Sequence, residues 1–425
     1  MFAELFHAIL ILDISYNKKC KDGVIMKKFL TISLSLLLLM DLCACGNSNA
    51  AETTEPKLNT AAIDEDIARL EALYKDTVAY HGDLHNHSAS GGRSDGNIEL
   101  KLWESIFLPN IDADFAVIVD HKQTSHMRIP EWKPEYYVGG TEAATTILDD
   151  NLTQGSVVHY NMIFNDPDAL EQLLEANPEY NLREDVEENP GYNTFKYAKF
   201  SSDRFRKIVA QIREKGGFFV HVHPLYDGYL RSDDPLDYWF GDYTGFEIMT
   251  GTKYSYNLSH KDNKEAYDMW VELLNLGKIV YATFGSDDHR TSDENSLSTL
   301  YATQKHSDAY LELLRAGNFT AGPVGVRMAV GDVCTGGQTE FAGKRLVVAV
   351  GDFHSIATQP RHEYRLDIYN ENGLVVSQML TGTQMQYFAI DAENCKYYRA
   401  DVYDVTGDYI FAVGNPIWNT SLMEK

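Results

Sequence analysis

The sequence predicts an α/β protein followed by a small all-β region, and three observations carry that expectation. Across residues 80–317 strand-like and helix-like segments alternate, which implies a parallel β/α barrel or sheet. From about Pro323 the helical period stops and short strand-like runs separated by turn residues take over. Histidines and carboxylates recur at or near the ends of the strand-like segments of the first region, where such folds gather their functional residues.

The chain has 425 residues, enough for two domains. Met26-Lys27-Lys28 and the apolar run 29–40 have the order and length of a signal peptide, and the run is short for a bilayer span. Leu42-Cys43-Ala44-Cys45 resembles a bacterial lipobox with Cys45 as the lipidated residue. Residues 1–45 therefore read as a signal segment whose true start is Met26, and 46–75 as a tether, its first part 46–60 rich in Asn, Ala, Thr and Glu. Residues 76–320 form the expected metal-binding α/β unit, and 323–425 the β domain. This reading puts the protein outside the cytoplasm, held at the membrane through Cys45.

Seven strand candidates hold or lead to, in order, His87, His121, Glu142, His159, His223, Glu247 and Asp287. Residues 201–216 predict a helix: Ser201 or Ser202 can cap it, Phe205, Ile208, Val209 and Ile212 fall at helical spacing, and Gly216 suits its stop. Residues 262–277 and 307–317 predict two more. Residues 166–200 interrupt the alternation, as a cover for the site or a surface excursion. Later strands are expected over 345–350, 364–369, 375–379, 398–403 and 409–413, with turns at Asn370-Glu371-Asn372-Gly373 and Thr406-Gly407-Asp408, as in a sandwich.

The formal net charge is −25 with no basic stripe, which argues against a nucleic-acid partner but not against a small, possibly anionic substrate. Cys334 and Cys395 could form a disulfide or remain two thiols.

Alternate side chains of a strand share a face, so His81, Asp83, His85 and His87 should project together. His85 and His87 could chelate one metal, with Asp83 orienting a ring. Asp95 follows in the next loop, and Val117-Ile118-Val119-Asp120-His121 ends an apolar strand in a polar pair. Glu142 could bridge two metals. His159, His221 and His223, and then Asp287 and His289, complete the series. So many ionisable groups beside apolar strands are costly unless bound metal compensates them. His81 and His221 read as core or supporting histidines, Asp120 as a support for His121, and Glu247 as a group behind the ligands. His126, His260, His306, His354 and His362 have no ligand context. Arg290 could meet an anionic substrate or form a surface ion pair.

In this order the motifs resemble the PHP (polymerase and histidinol phosphatase) family, over residues 80–317. The resemblance implies a distorted seven-stranded β/α barrel and two or three divalent transition-metal ions (Zn, Mn or Fe). It implies that His85, His87, Glu142 and Asp287 hold a first metal. Glu142, His159 and His223 would hold a second, and Asp95, His121 and His289 a third. Residues 89–93 lengthen the usual gap before Asp95. Tyr398-Arg399-Ala400 and Gly414-Asn415-Pro416-Ile417-Trp418 resemble the end of PHP proteins related to carbaryl hydrolase. The expected activity is metal-assisted hydrolysis of a phosphoester, with carbamate or carboxyl ester hydrolysis as the alternative. A metal-holding surface binding protein is the alternative of another class.

Overall fold

In a computed structural model, the structure describes residues 63–90, 96–121, 123–147, 157–177, 183–186, 194–225, 232–251, 258–289, 296–358 and 362–423. The signal segment, the lipobox with Cys45, Asp95 and Arg290 lie outside the described residues. No helix among the described residues is long and apolar enough to cross a membrane.

The fold is mixed α/β. Strands β1 (Val78–Asn86), β2 (Phe115–Ile118), β3 (Tyr137–Ile147), β4 (Val157–Ile163), β5 (Arg183–Val186), β6 (Thr194–Phe200), β7 (Phe218–His221), β8 (Thr244–Thr250) and β9 (Val280–Gly285) build its first part. Helices α1 (Ile63–Leu73), α2 (Pro167–Ala176), α3 (Ser202–Glu214), α4 (Lys261–Asn275) and α5 (Ser307–Ala316) accompany them. The three helices expected from apolar spacing are α3, α4 and α5. Ser201 caps α3 by accepting from the Arg204 amide, while Phe205, Ile208, Val209 and Ile212 are buried. Gly317 ends α5 at φ +68°, where a Cβ would strike the Tyr281 ring at 2.2 Å.

The order β1-β2-β3-β4-β7-β8-β9 is parallel except at β4, which is antiparallel to both β3 and β7. This corrects the expectation of a wholly parallel arrangement. β3 and β4 form a hairpin, and an antiparallel pair needs no crossover helix. The start of β4 therefore lies at the same end as the finish of its neighbours. Beyond β9 the chain returns to β1: the Asp287 amide donates to the His85 carbonyl (2.8 Å) and the His87 amide to the Asp288 carbonyl (2.9 Å). Residues 166–200 contribute α2 and the β5–β6 hairpin, with β6 pairing parallel to β3.

The chain continues through β10 (Leu297–Ala302), β11 (Phe319–Ala321), β12 (Gly325–Val330), β13 (Val333–Cys334), β14 (Gln338–Thr339) and β15 (Arg345–Gly351). It ends with β16 (Tyr364–Asn370), β17 (Gly373–Met379), β18 (Gln386–Asp391), β19 (Tyr397–Asp404) and β20 (Tyr409–Asn419). β17-β16-β19-β20 continues through β11 and β10 to β1, while β13-β12-β15-β18 is a separate sheet. Val326, Val348, Leu366, Val402 and Phe411, drawn from both, belong to one apolar cluster. Cys334 and Cys395 are free thiols.

Part of the expected tether is structured instead. Ile63–Leu73 is helix α1, anchored on the separate sheet by Arg345–Asp66 (2.8 Å), Arg327–Glu71 (3.0 Å) and Tyr387 donating to Glu71 (2.8 Å). The C-terminal motif has a local cause too. Asn415 is fully buried, accepts from the Ala282 amide of β9 (2.7 Å), and donates to the carbonyls of Ala282 and Phe319 (3.4 and 3.3 Å). Asn415→Ala leaves three buried backbone groups without that partner, and an unsatisfied buried group costs roughly 1–3 kcal/mol. The expected loss is about 3 kcal/mol in denaturant unfolding. A loss under about 0.5 kcal/mol, the range of an ordinary surface change, would refute the docking role.

Candidate metal centre

Four buried or part-buried side chains converge where β1, β3 and β9 end or pass. His85 Nε2 lies 3.3 Å from His87 Nε2, 3.4 Å from Glu142 Oε2 and 3.6 Å from Asp287 Oδ1. His87 Nε2 lies 3.1 Å from Glu142 Oε2 and 3.3 Å from Asp287 Oδ1. Ligands about 2.0–2.1 Å from a tetrahedral ion stand roughly 3.3 Å apart, so these five separations fit one ion at their centre. Donors that are imidazole and carboxylate, without thiolate, suit Zn, Mn or Fe.

The other oxygen of Glu142 faces a second group. Oε1 lies 2.7 Å from His159 Nδ1 and 3.3 Å from His223 Nε2. The reversal of β4 explains how His159, third in its strand, reaches the end where His223 follows β7. His87, His121 and His289 form a third group whose ligand atoms lie within 4.8 Å of one another. The His87 ring stacks on those of His121 (4.5 Å) and His289 (4.2 Å). The expected third set thus gains His87, while Asp95 and Arg290 lie outside the described residues. The chain on either side of Asp95 is nonetheless fixed: the Ala89 amide donates to Ile98 (2.8 Å) and the Asn97 amide to the His289 carbonyl (2.9 Å).

Two residues of the site hold unusual backbone. His223 has φ +31° and Asp287 φ +54°, the left-handed region that costs an ordinary side chain free energy and tends to occur where function demands it.

The electrostatics follow from burial set against opposite charge. Burial disfavours a charged His87, but Asp287 and Glu142 outweigh it and push its pKa up to about 9. Burial works the same way on His85, and Glu247, Asp287 and Glu142 hold it well above the usual range. Burial would raise Glu142 and Asp287, yet the surrounding histidines keep both well below the ordinary carboxylate range. Burial dominates for His159 and lowers it.

Several neighbours behave differently from expectation. Asp83 orients no ring; its Oδ1 accepts from the amides of His85 (3.1 Å) and Ser286 (2.9 Å), and burial pushes its pKa up to about 8. His81 does not join His85 and His87, because β1 is irregular between Asp83 and Asn86; it contacts Thr299 (3.1 Å) and the His354 ring. Asp120 holds Ser88, next to His87, accepting from its amide and its hydroxyl (2.8 Å). His126 is buried against Asp120 and the Ile118 carbonyl. His221 sits among Tyr238, Phe240 and Phe246, and burial pushes its pKa down to about 3, as befits a neutral core histidine.

No family model matches the chain, and no curated protein is similar to it. Among solved structures, an amidohydrolase from Chromobacterium violaceum, with bound sulfate and no metal, aligns at 18% identity. The alignment covers 55% of this chain and 96% of that one at a TM-score of 0.33, a likeness too slight to bear on fold or function.

Proposed function

We propose that the chain is a metal-dependent hydrolase of the PHP type, a phosphoesterase held outside the cytoplasm by lipidated Cys45. One observation carries the catalytic part: the two oxygens of Glu142 serve two separate ligand groups. A structural metal needs one closed set of ligands. Two sets sharing a carboxylate suit a pair of ions acting together on one substrate.

When bound, divalent ions polarise the scissile group and lower the pKa of water from ~15.7 toward ~7. The chain's own residues supply the frame. Glu142 ties the two groups together, β1 and the segment after β9 are hydrogen-bonded across the first group, and His159 and His223 close the second from β4 and the end of β7. The seven strands β1, β2, β3, β4, β7, β8 and β9, with the return from β9 to β1, support the distorted barrel of that family. The two later sheets around one apolar cluster support the sandwich-like domain. The anchor rests on the sequence of residues 26–45.

Phosphoesters come first because several cations in one site suit a phosphoryl group. The carbamate or carboxyl ester reading rests on the C-terminal motif, and Asn415 and Trp418 have packing roles against β9 and Tyr281 that need no substrate.

The test is metal analysis of the purified chain, then removal and reloading with Zn, Mn or Fe and assay on an aryl phosphomonoester, a phosphodiester, a carboxyl ester and an aryl carbamate. Metal-dependent turnover of a phosphoester is expected. Turnover confined to the ester or carbamate would establish the alternative chemistry, and metal without turnover on any substrate would favour a binding protein. A chain that takes up no metal would overturn the reading.

A further inference from the structure

We propose that Glu247 is a positioning residue that sets the tautomer of His85 and, through the same carboxylate, fixes the backbone of His223. The inference rests on the metal-site reading above and deepens it. Glu247 lies in β8 and is 2% exposed, behind the ligands and not among them. Its Oε1 is 3.0 Å from His85 Nδ1. Its Oε2 accepts from the His223 amide (2.8 Å) and the Thr250 hydroxyl (2.8 Å). One side chain thus touches a residue of each group that Glu142 joins.

A carboxylate can only accept, so a neutral His85 ring keeps its hydrogen on Nδ1 and turns its Nε2 lone pair toward His87, Glu142 and Asp287. That tautomer is the one that can ligate a metal, and hydrogen bonding by the far nitrogen also strengthens the ring as a ligand. The hydrogen bond to His223 acts on a residue whose φ of +31° needs outside support. Gly285 makes room for this contact. A Cβ there would fall 2.4 Å from Glu247 Oε1 and 2.5 Å from His85 Cβ.

Glu247→Gln discriminates tautomer control from simple packing, because the two side chains have nearly the same shape. With its carbonyl kept toward the His223 amide and Thr250, the glutamine turns its NH2 toward His85 Nδ1. An NH2 donor there moves the ring hydrogen to Nε2 and removes a ligand from the first group. The experiment measures zinc stoichiometry and affinity by chelator competition on the full chain, with unfolding of the metal-free form measured alongside. Glu247→Gln is expected to unfold cooperatively in the metal-free form, as the wild type does, and to lose 10–100-fold in affinity for one zinc equivalent. Wild-type affinity at every equivalent would overturn the proposal while leaving the metal reading intact. Wild-type protein that binds no zinc would remove the reading itself. Should Glu247→Gln fail to fold, Glu247→Asp carries the test, since it keeps the carboxylate but shortens its reach to His85 Nδ1 and the His223 amide. A several-fold weaker zinc equivalent supports the proposal, and unchanged affinity overturns it.

Discussion

Glu142→Ala is expected to empty both metal groups at once and to reduce metal-dependent turnover by on the order of 10³-fold or more, because the Lewis-acid contribution it removes is worth several kcal/mol. The reason is geometric. Oε2 lies among His85, His87 and His121, and Oε1 between His159 and His223. No other described side chain reaches both groups with ligand atoms. His223→Ala should weaken only the second group, and Asp287→Ala only the first. The comparison is metal content per chain for the three variants, prepared alike. Two lost equivalents for Glu142→Ala against one for each of the others is the expected pattern. Wild-type metal content in Glu142→Ala would sink the bridging role.

The residues that the structure brings together were legible because strand-end histidines and carboxylates are rare without compensation, and their order along the chain is itself a signal. Their grouping was only partly legible. That His87 stacks on both His121 and His289 depends on how the ends of β1, β2 and β9 converge, which sequence does not record. Helices α3, α4 and α5 could be read because a 3.6-residue apolar period marks one buried face. Helix α1 could not, since its acidic sequence resembles a solvated tether and its anchors, Arg327 and Arg345, lie more than two hundred residues away. The reversed direction of β4 was hidden for a different reason: apolar patterning has no polarity along the chain. The reversal nevertheless decides the site, since it brings His159 to Glu142. Glu247 was visible as a group behind the ligands, but its double attachment to His85 and His223 needed coordinates.

The stability gap between metal-loaded and metal-free protein is expected to widen as pH rises from about 6.5 to about 9, by roughly 3 kcal/mol if the His87 shift is fully realised. In the metal-free chain His87 is raised from its ordinary 6.5 to about 9, after Asp287 and Glu142 have outweighed burial. A raised histidine contributes stability that is fully present below 6.5 and is lost as pH passes through 9. His85 shifts in the same direction. Glu142 and Asp287 are depressed, so their contribution is present above the ordinary carboxylate range and is lost only as pH falls through their lowered values. The acid side of that pairing therefore lies below the window in question. With metal bound, both rings would serve as neutral ligands and nothing would be lost near 9; protons would instead compete with the metal at lower pH. Binding stabilises by RT ln(1 + [L]/Kd), about 2.7 kcal/mol at one hundred times Kd, and Kd itself tightens as the rings deprotonate. His221, pushed down to about 3 by burial, and His81, pushed down to about 4 mainly by burial, lower stability as pH falls below 6.5. They do so in both forms and cancel from the gap. Thermal unfolding with zinc and with EDTA across pH 6 to 9.5 measures it, and zinc added at pH 7.5 in dilute buffer should release protons. A gap independent of pH, with no proton release, would mean that His85 and His87 do not exchange protons for metal.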